Sequence, residues 1–197
     1  MNYLRDLIGM LELRSRELKS LSERRTLILS LLCFWLGFLA FTFARNRAYA
    51  ELPEFIAANQ NPFHYFAVLF KGSVYALLFI ATALAVSNAI SGAGRSISKR
   101  EFLSYASALM PLWGALFLIV TPLQIFLPGI QSVGQHEFSF PMLLLILLLA
   151  VYTVWSLKHL SGLSPAQTAI SFVVSLIGLL IYYFVFLLFG INDAFVT

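Results

Sequence analysis

Five long stretches without a formal charge divide this chain. They cover residues 26–44, 72–94, 102–136, 138–157 and 159–192 and are 19, 23, 35, 20 and 34 residues long. A helix rises about 1.5 Å per residue and needs ~20 apolar residues to cross hydrocarbon, so each stretch holds one span and none holds two spans with a turn. The pattern predicts five transmembrane helices, at about 26–44, 72–90, 102–122, 140–157 and 169–190.

The first 25 residues have a different pattern. Four apolar residues have helical spacing, namely Leu4, Leu7, Ile8 and Leu11. Leu18 and Leu21 continue on a similar face. This spacing predicts an amphipathic helix that lies either against lipid headgroups or on the protein's own helix ends. We therefore predict an all-α, polytopic integral membrane protein, with a cytosolic amphipathic segment at 1–25 and a five-helix domain at 26–192.

Composition agrees with this class. Apolar residues make up 60% of the chain, charged residues 11%, and the mean hydropathy is +0.86. These values lie outside the usage of soluble globular domains. The N-terminal segment contains four acidic residues and no small-residue cleavage site before the first apolar stretch, so we expect it to be retained rather than removed as a signal peptide.

The distribution of Lys and Arg predicts the orientation. When the loops alternate sides, ten of the thirteen cations fall on the side of the N-terminus and only Arg45 and Arg47 on the other. The positive-inside rule then places the N-terminus in the cytosol and the C-terminus outside. The remaining cation, Lys71, borders the second predicted span, where it either extends to the interface or pairs with a carboxylate such as Glu54.

Two rows of small residues predict close helix packing. They are Ala81, Ala85 and Ala89 in the second span and Ser171, Ser175 and Gly178 in the last. Small side chains let a neighbouring backbone approach, which favours helix association in lipid.

The third span contains a candidate hinge at Pro111. Proline has no N–H, so the carbonyl of Ser107 loses its helical partner and needs water or a group from a facing helix. The proline is either a fixed structural kink or a hinge. A second break at Pro122 predicts that this span ends between residues 122 and 128.

A basic patch precedes the third span. Arg95, Lys99 and Arg100 are expected at the cytosolic surface, beside anionic headgroups or a partner. The alternative is that these cations only anchor the topology.

The chain has no pattern typical of a catalytic or metal site. Cys33 is the single cysteine, and no two histidines have the i, i+4 spacing that presents both rings to one ion. The sequence also lacks G-x-S-x-G, H-E-x-x-H and a glycine-rich phosphate loop. We expect no enzyme, no cofactor and no nucleic-acid partner.

Several short motifs resemble the Yip1 domain family. They are Tyr105, Ala106 and Pro111 entering the third span, Trp155-Ser156-Leu157 near the end of the fourth, and Gly162-Leu163-Ser164 with Ala166 and Ala169 before the last. The resemblance implies a five-span fold with a cytosolic N-terminus and supplies no catalytic residue. Eukaryotic members are linked to small GTPases and vesicle traffic, whereas the short N-terminal segment here resembles bacterial, inner-membrane members.

Two functions fit these observations. The first is a non-enzymatic scaffold or accessory subunit whose partners are the lipid bilayer and another membrane protein or a second copy of the chain. The second is a small-molecule or lipid transporter hinged at Pro111. A continuous polar cavity between helices would favour the transporter.

The charge count makes a direct prediction about topology. A reporter fused after Thr197 should be active outside the cytosol, and one fused after Ile97 should be active inside. The opposite pattern of activities would contradict the five-span arrangement.

Overall fold

A computed structural model describes residues 3–24, 26–48, 61, 63–92, 97–126 and 140–188, which contain seven helices. These are α1 (Tyr3–Leu11), α2 (Ser15–Arg24), α3 (Leu27–Ala48), α4 (His64–Ile90), α5 (Lys99–Phe126), α6 (Phe140–Ser161) and α7 (Pro165–Leu188). The last five, α3 to α7, are long and apolar enough to cross a membrane. This confirms the prediction of an all-α protein with five membrane-spanning helices.

The second span begins earlier than predicted. Helix α4 starts at His64 rather than at residue 72, and the half-buried Lys71 lies about two turns inside it. A charged residue does not interrupt backbone hydrogen bonding, and the aliphatic stem of a lysine can extend along the helix towards the interface. The helix therefore extends about two turns beyond the predicted start of the span. The proposed partner Glu54 lies outside the described residues.

Helix α5 starts at a capping box. The N–H of Glu101 donates to Ser98 Oγ (3.1 Å), and the N–H of Ser98 donates to Glu101 Oε2 (3.1 Å). These reciprocal bonds satisfy donors that the first turn would leave unpaired. The helix then continues through both Pro111 and Pro122 to Phe126, inside the predicted range for its end.

A tight turn joins α6 to α7. Gly162 has φ +69°, a left-handed conformation that glycine adopts without strain, and its N–H donates to the carbonyl of Lys158. Ser164 and Gln167 then form a second capping box, and Pro165 occupies the first helical position. Helix α7 consequently starts four residues before its predicted boundary.

The N-terminal segment forms two helices instead of one. Helix α1 ends in a Schellman motif, in which the N–H of Arg14 donates to the carbonyl of Gly9 and that of Leu13 to Met10. Leu13 occupies the left-handed position with φ 59°. The chain reverses there, so α1 and α2 form an antiparallel pair, the N-terminal hairpin (Tyr3–Arg24).

The N-terminal hairpin packs on the membrane domain. Its side chains Met10, Leu18 and Leu21 are fully buried in a cluster with Ala108 and Leu112 of α5. Of the two predicted locations, the described contacts correspond to packing on the protein's own helices. Leu4 and Ile8 remain 59% and 49% exposed, so one apolar face of the hairpin points outwards.

Helices α3 and α5 make the most extensive helix–helix contact among the described helices. They cross at two glycines: a Cβ at Gly37 would collide with the carbonyl of Gly114, and a Cβ at Gly114 would collide with the carbonyl of Cys33. The backbones touch at this point because neither residue has a side chain.

Helix α5 is the centre of the bundle. Every residue from 105 to 116 is buried, as expected for a helix that is apolar on all sides and enclosed by others. The N-terminal hairpin, α3, α4 and α6 contact α5, whereas α7 is the most exposed span and packs mainly on α4.

The glycine crossing predicts a strong sensitivity to side-chain volume. Gly114→Ala should destabilise the protein by about 2–3 kcal/mol, since the new methyl group has only backbone to displace. The matched control is Gly178→Ala, where a Cβ would lie 3.0 Å from a methyl group of Thr82 that has some room to move. Thermal unfolding in detergent should show a much larger loss for Gly114→Ala, and equal losses would contradict the crossing.

Candidate functional site

An apolar chamber of about 420 Å³, which is open towards the surroundings of the bundle, is lined by residues of all five spans. Its wall includes Phe79, Trp113, Phe117, Ala150, Phe172 and Leu176. The ring of Phe79 meets Trp113 edge-on at 5.7 Å between centroids and Phe172 at 6.0 Å. These edge-to-face contacts fix the aromatic side chains, so the chamber has a rigid wall on one side.

A smaller polar pocket of about 230 Å³ lies between the end of α4, the start of α5 and the end of α6. Asn88, Glu101, Ser104, Tyr105 and Ser161 contribute to its lining. We call this end of the bundle the basic end, because it also carries Lys99, Arg100 and Lys158. The Glu101 carboxylate is already bonded to Ser98 as a helix cap, which explains its position without a ligand.

A layer of mostly apolar side chains, which we call the dry layer, separates the chamber from the polar pocket. It includes the fully buried Ile80 of α4, Ala106 and Met110 of α5 and Leu157 of α6, together with the buried hydroxyls of Ser107 and Ser156. Within the described part of the chain, the cavities therefore do not form the continuous polar path that a transporter of polar molecules needs.

The candidate hinge lies in the most tightly packed part of the protein. Pro111 is buried, and the carbonyl of Ser107 that it deprives of a partner accepts a long hydrogen bond from Ser30 Oγ of α3, at 3.5 Å. Ser30 also donates to the carbonyl of Thr26 at 2.9 Å, so its single proton is shared between two acceptors. A facing hydroxyl thus satisfies the freed carbonyl only weakly.

The alanine row of α4 is largely uncovered in the described part of the chain. Ala85 and Ala89 are exposed and Ala81 is half-buried, whereas the packed face of the helix carries Ala83 and Ser87. The described residues therefore show no close packing at Ala85 and Ala89. Close packing of a partner's helix against these alanines remains a prediction.

The small residues of α7 lie in its contact with α4. Ser171 Oγ is 3.0 Å from Ser87 Oγ, and Ser175 Oγ donates to the carbonyl of Ser171 at 2.7 Å. Gly178 faces Thr82 at a distance that leaves little room for a Cβ. Both serines are fully buried, and their hydroxyls hold the two spans together.

The basic patch is partly described. Lys99 and Arg100 are exposed in the first turn of α5, and Arg95 lies outside the described residues. Arg16 and Lys19 of the N-terminal hairpin are also exposed and line a shallow polar groove with Glu23. Lys99, Arg100, Arg16 and Lys19 therefore all face outwards, where they can meet charged groups.

A buried ion pair holds the N-terminal hairpin together. The Asp6 carboxylate is 1% exposed and accepts hydrogen bonds from Arg24 and from Ser20 Oγ (2.9 Å). The hydroxyl of Tyr152 in α6 donates to the carbonyl of Leu11 at 2.6 Å and ties the hairpin to the bundle. Tyr3 lies beside Cys33, and burial raises the pKa of the Tyr3 hydroxyl above its usual range.

The described residues contain no cluster of three or more His, Cys, Asp or Glu side chains that could hold a metal ion. His159 Nδ1 lies 2.9 Å from the carbonyl of Trp155, one turn earlier in α6, so a local hydrogen bond accounts for this ring. His64 is at the start of α4, at the opposite end of the bundle. These two histidines are therefore too far apart to bind one ion.

Comparison with protein-family models, with curated proteins and with solved structures finds no match to this chain.

Sequence reasoning missed the residues that fix the fold, namely Gly37, Gly114, Asp6 and Arg24. The two glycines had a detectable signal, because each is the only glycine inside its span. Asp6 had no such signal in the sequence, because a carboxylate in a segment of alternating charges is usually solvated.

The two prolines of α5 provide a test of the hinge. If Pro111 is a structural kink, Pro111→Ala should lower stability by about 1–2 kcal/mol, because the surrounding core is packed around the proline ring. Pro122→Ala is the control, since Pro122 is exposed and its replacement only restores a helical donor. Thermal unfolding in detergent measures both. A Pro111→Ala protein of equal or higher stability that has lost function would instead identify a hinge.

Proposed function

We propose that this protein is a non-enzymatic membrane scaffold or accessory subunit. It binds another integral membrane protein, or a second copy of itself, through the alanine row Ala81, Ala85 and Ala89 of α4. The observation that supports this is the uncovered row itself: the opposite face of α4 is packed inside the chain, whereas Ala85 and Ala89 face outwards.

Association of helices in lipid depends on close packing, because lipid tails are as apolar as leucine. The protein itself follows this rule at its own contacts. α3 meets α5 at Gly37 and Gly114, and α7 meets α4 at Ser171 and Gly178. A third smooth face on α4, at which the described residues leave Ala85 and Ala89 exposed, is therefore suited to a helix from outside the chain.

The resemblance to the Yip1 domain family supports this class of function and a bacterial inner membrane as the location. Its motif residues lie at structurally important positions: Tyr105 and Pro111 are in the buried centre of α5, and Gly162 forms the turn before α7. With the N-terminus in the cytosol, the basic end faces anionic headgroups, where each exposed cation contributes about 1 kcal/mol of attraction.

A transporter hinged at Pro111 is the second candidate. The apolar chamber at the level of the bilayer favours a lipid over a polar small molecule as its substrate. The dry layer of Ile80, Met110 and Leu157 weighs against it, since the layer closes the chamber towards the basic end.

Cysteine cross-linking in native membranes tests the alanine row. In a Cys33→Ala background, Ala85→Cys should form one discrete product with a short bismaleimide, either a dimer or an adduct with another membrane protein. The matched control is Val151→Cys, on the outer face of α6 and 51% exposed, which should give no discrete product.

A bulky substitution completes the test. With Ala85→Cys kept as the cross-linking site, Ala89→Leu should reduce recovery of the cross-linked partner about tenfold, a change of about 1.4 kcal/mol, without changing the unfolding temperature. The same yield from Ala85→Cys and Val151→Cys would contradict the proposal, because it would indicate random collision.

A further inference from the structure

We infer that the apolar chamber is a binding site for one acyl chain of a bilayer phospholipid. This inference does not depend on the scaffold proposal, because the chamber and the alanine row lie on different faces of α4.

The lining excludes a polar ligand. Among the described residues that line the chamber, three side chains carry a polar atom: Tyr75, Trp113 and Thr153. Two of these side chains are hydrogen-bonded to each other, since Trp113 Nε1 donates to Thr153 Oγ1 at 2.8 Å. A polar ligand or a cluster of waters needs several convergent partners, and the chamber does not provide them.

The depth of the chamber identifies its surroundings as hydrocarbon. Ala150 lies eleven residues before the end of α6, and Leu176 lies eleven residues after the start of α7. At about 1.5 Å per residue, both are about 16 Å from the helix ends, close to the middle of a ~30 Å hydrocarbon core. The molecules available to fill the chamber at this depth are lipid chains.

The chamber offers an acyl chain an aromatic wall and an open side. The aromatic wall of Phe79, Trp113 and Phe172 is held by edge-to-face contacts, which oppose collapse. The chamber is not sealed, but the dry layer that includes Ile80, Met110 and Leu157 closes it towards the basic end. A flexible hydrocarbon chain can enter, whereas its headgroup has no polar partner inside and stays outside.

Quenching of Trp113 fluorescence provides the test. The protein has three tryptophans, so the double variant Trp35→Phe/Trp155→Phe keeps Trp113 as the only fluorophore. The full chain is reconstituted in phosphatidylcholine vesicles with acyl chains that are plain or brominated at mid-chain. Although Trp113 is only 8% exposed, we expect the bromines to lower its emission about twofold.

Two alanine variants identify the chamber as the route of quenching. Ala150→Phe, which fills the chamber, should restore the emission of Trp113, whereas Ala169→Phe on the exposed face of α7 should leave the quenching unchanged. Unquenched Trp113 would overturn the inference, and so would equal quenching in the Ala150→Phe protein.

Native mass spectrometry of the otherwise unmodified chain gives a second, independent readout. One phospholipid should remain bound after mild detergent extraction, and Ala150→Phe should lose it at least about tenfold faster than Ala169→Phe. This measurement decides the question if the tryptophan variants do not fold. Retention of no lipid, or of an isoprenoid lipid instead of a phospholipid, would overturn the assignment.

Discussion

The direct contact of two backbones at Gly37 and Gly114 is the constraint on which the rest of the structure depends. A membrane domain gains no hydrophobic free energy from bringing helices together, so van der Waals contact has to provide the attraction. The closest contact is possible where each of the two helices has a glycine at the crossing point. Once α3 lies against α5 at this point, the other faces of α5 accept the N-terminal hairpin, α4 and α6, and its residues 105 to 116 become the buried centre.

Polar side chains inside the bundle join helices rather than line a path. Side-chain hydrogen bonds connect three helix pairs, as between Trp35 and Ser73, between Trp113 and Thr153, and between Ser87 and Ser171. Such bonds contribute about 0.6 kcal/mol each on average, a modest gain that still fixes the rotation of each helix. Hydroxyls elsewhere, such as that of Thr82, donate to a carbonyl one turn back in their own helix.

The sequence was sufficient to predict the spans but not their rotation. The number of spans follows from uncharged length, which is a property of the chain alone. The face of a helix that packs depends on its neighbours, and α4 illustrates the difficulty. Ala81, Ala85 and Ala89 form one row of small residues, but Ala83 and Ser87 form another with the same four-residue spacing, and the second row is the one that is buried.

The turn at Leu13 could not be predicted either, since its left-handed conformation normally selects glycine.

Helix α4 contributes residues both to the chamber and to the alanine row. Ala76 and Phe79 of α4 face the chamber, whereas Ala85 and Ala89 face outwards nearer the basic end. A chain in the chamber would fill the space between α4 and the side chains of α7 that line it, such as Phe172 and Leu176. Because packed helices resist gradual deformation, filling that space would fix the position of α4 and with it the direction in which its alanine row points. Lipid binding and partner binding would then be coupled through the rigid body of α4, without a hinge at Pro111.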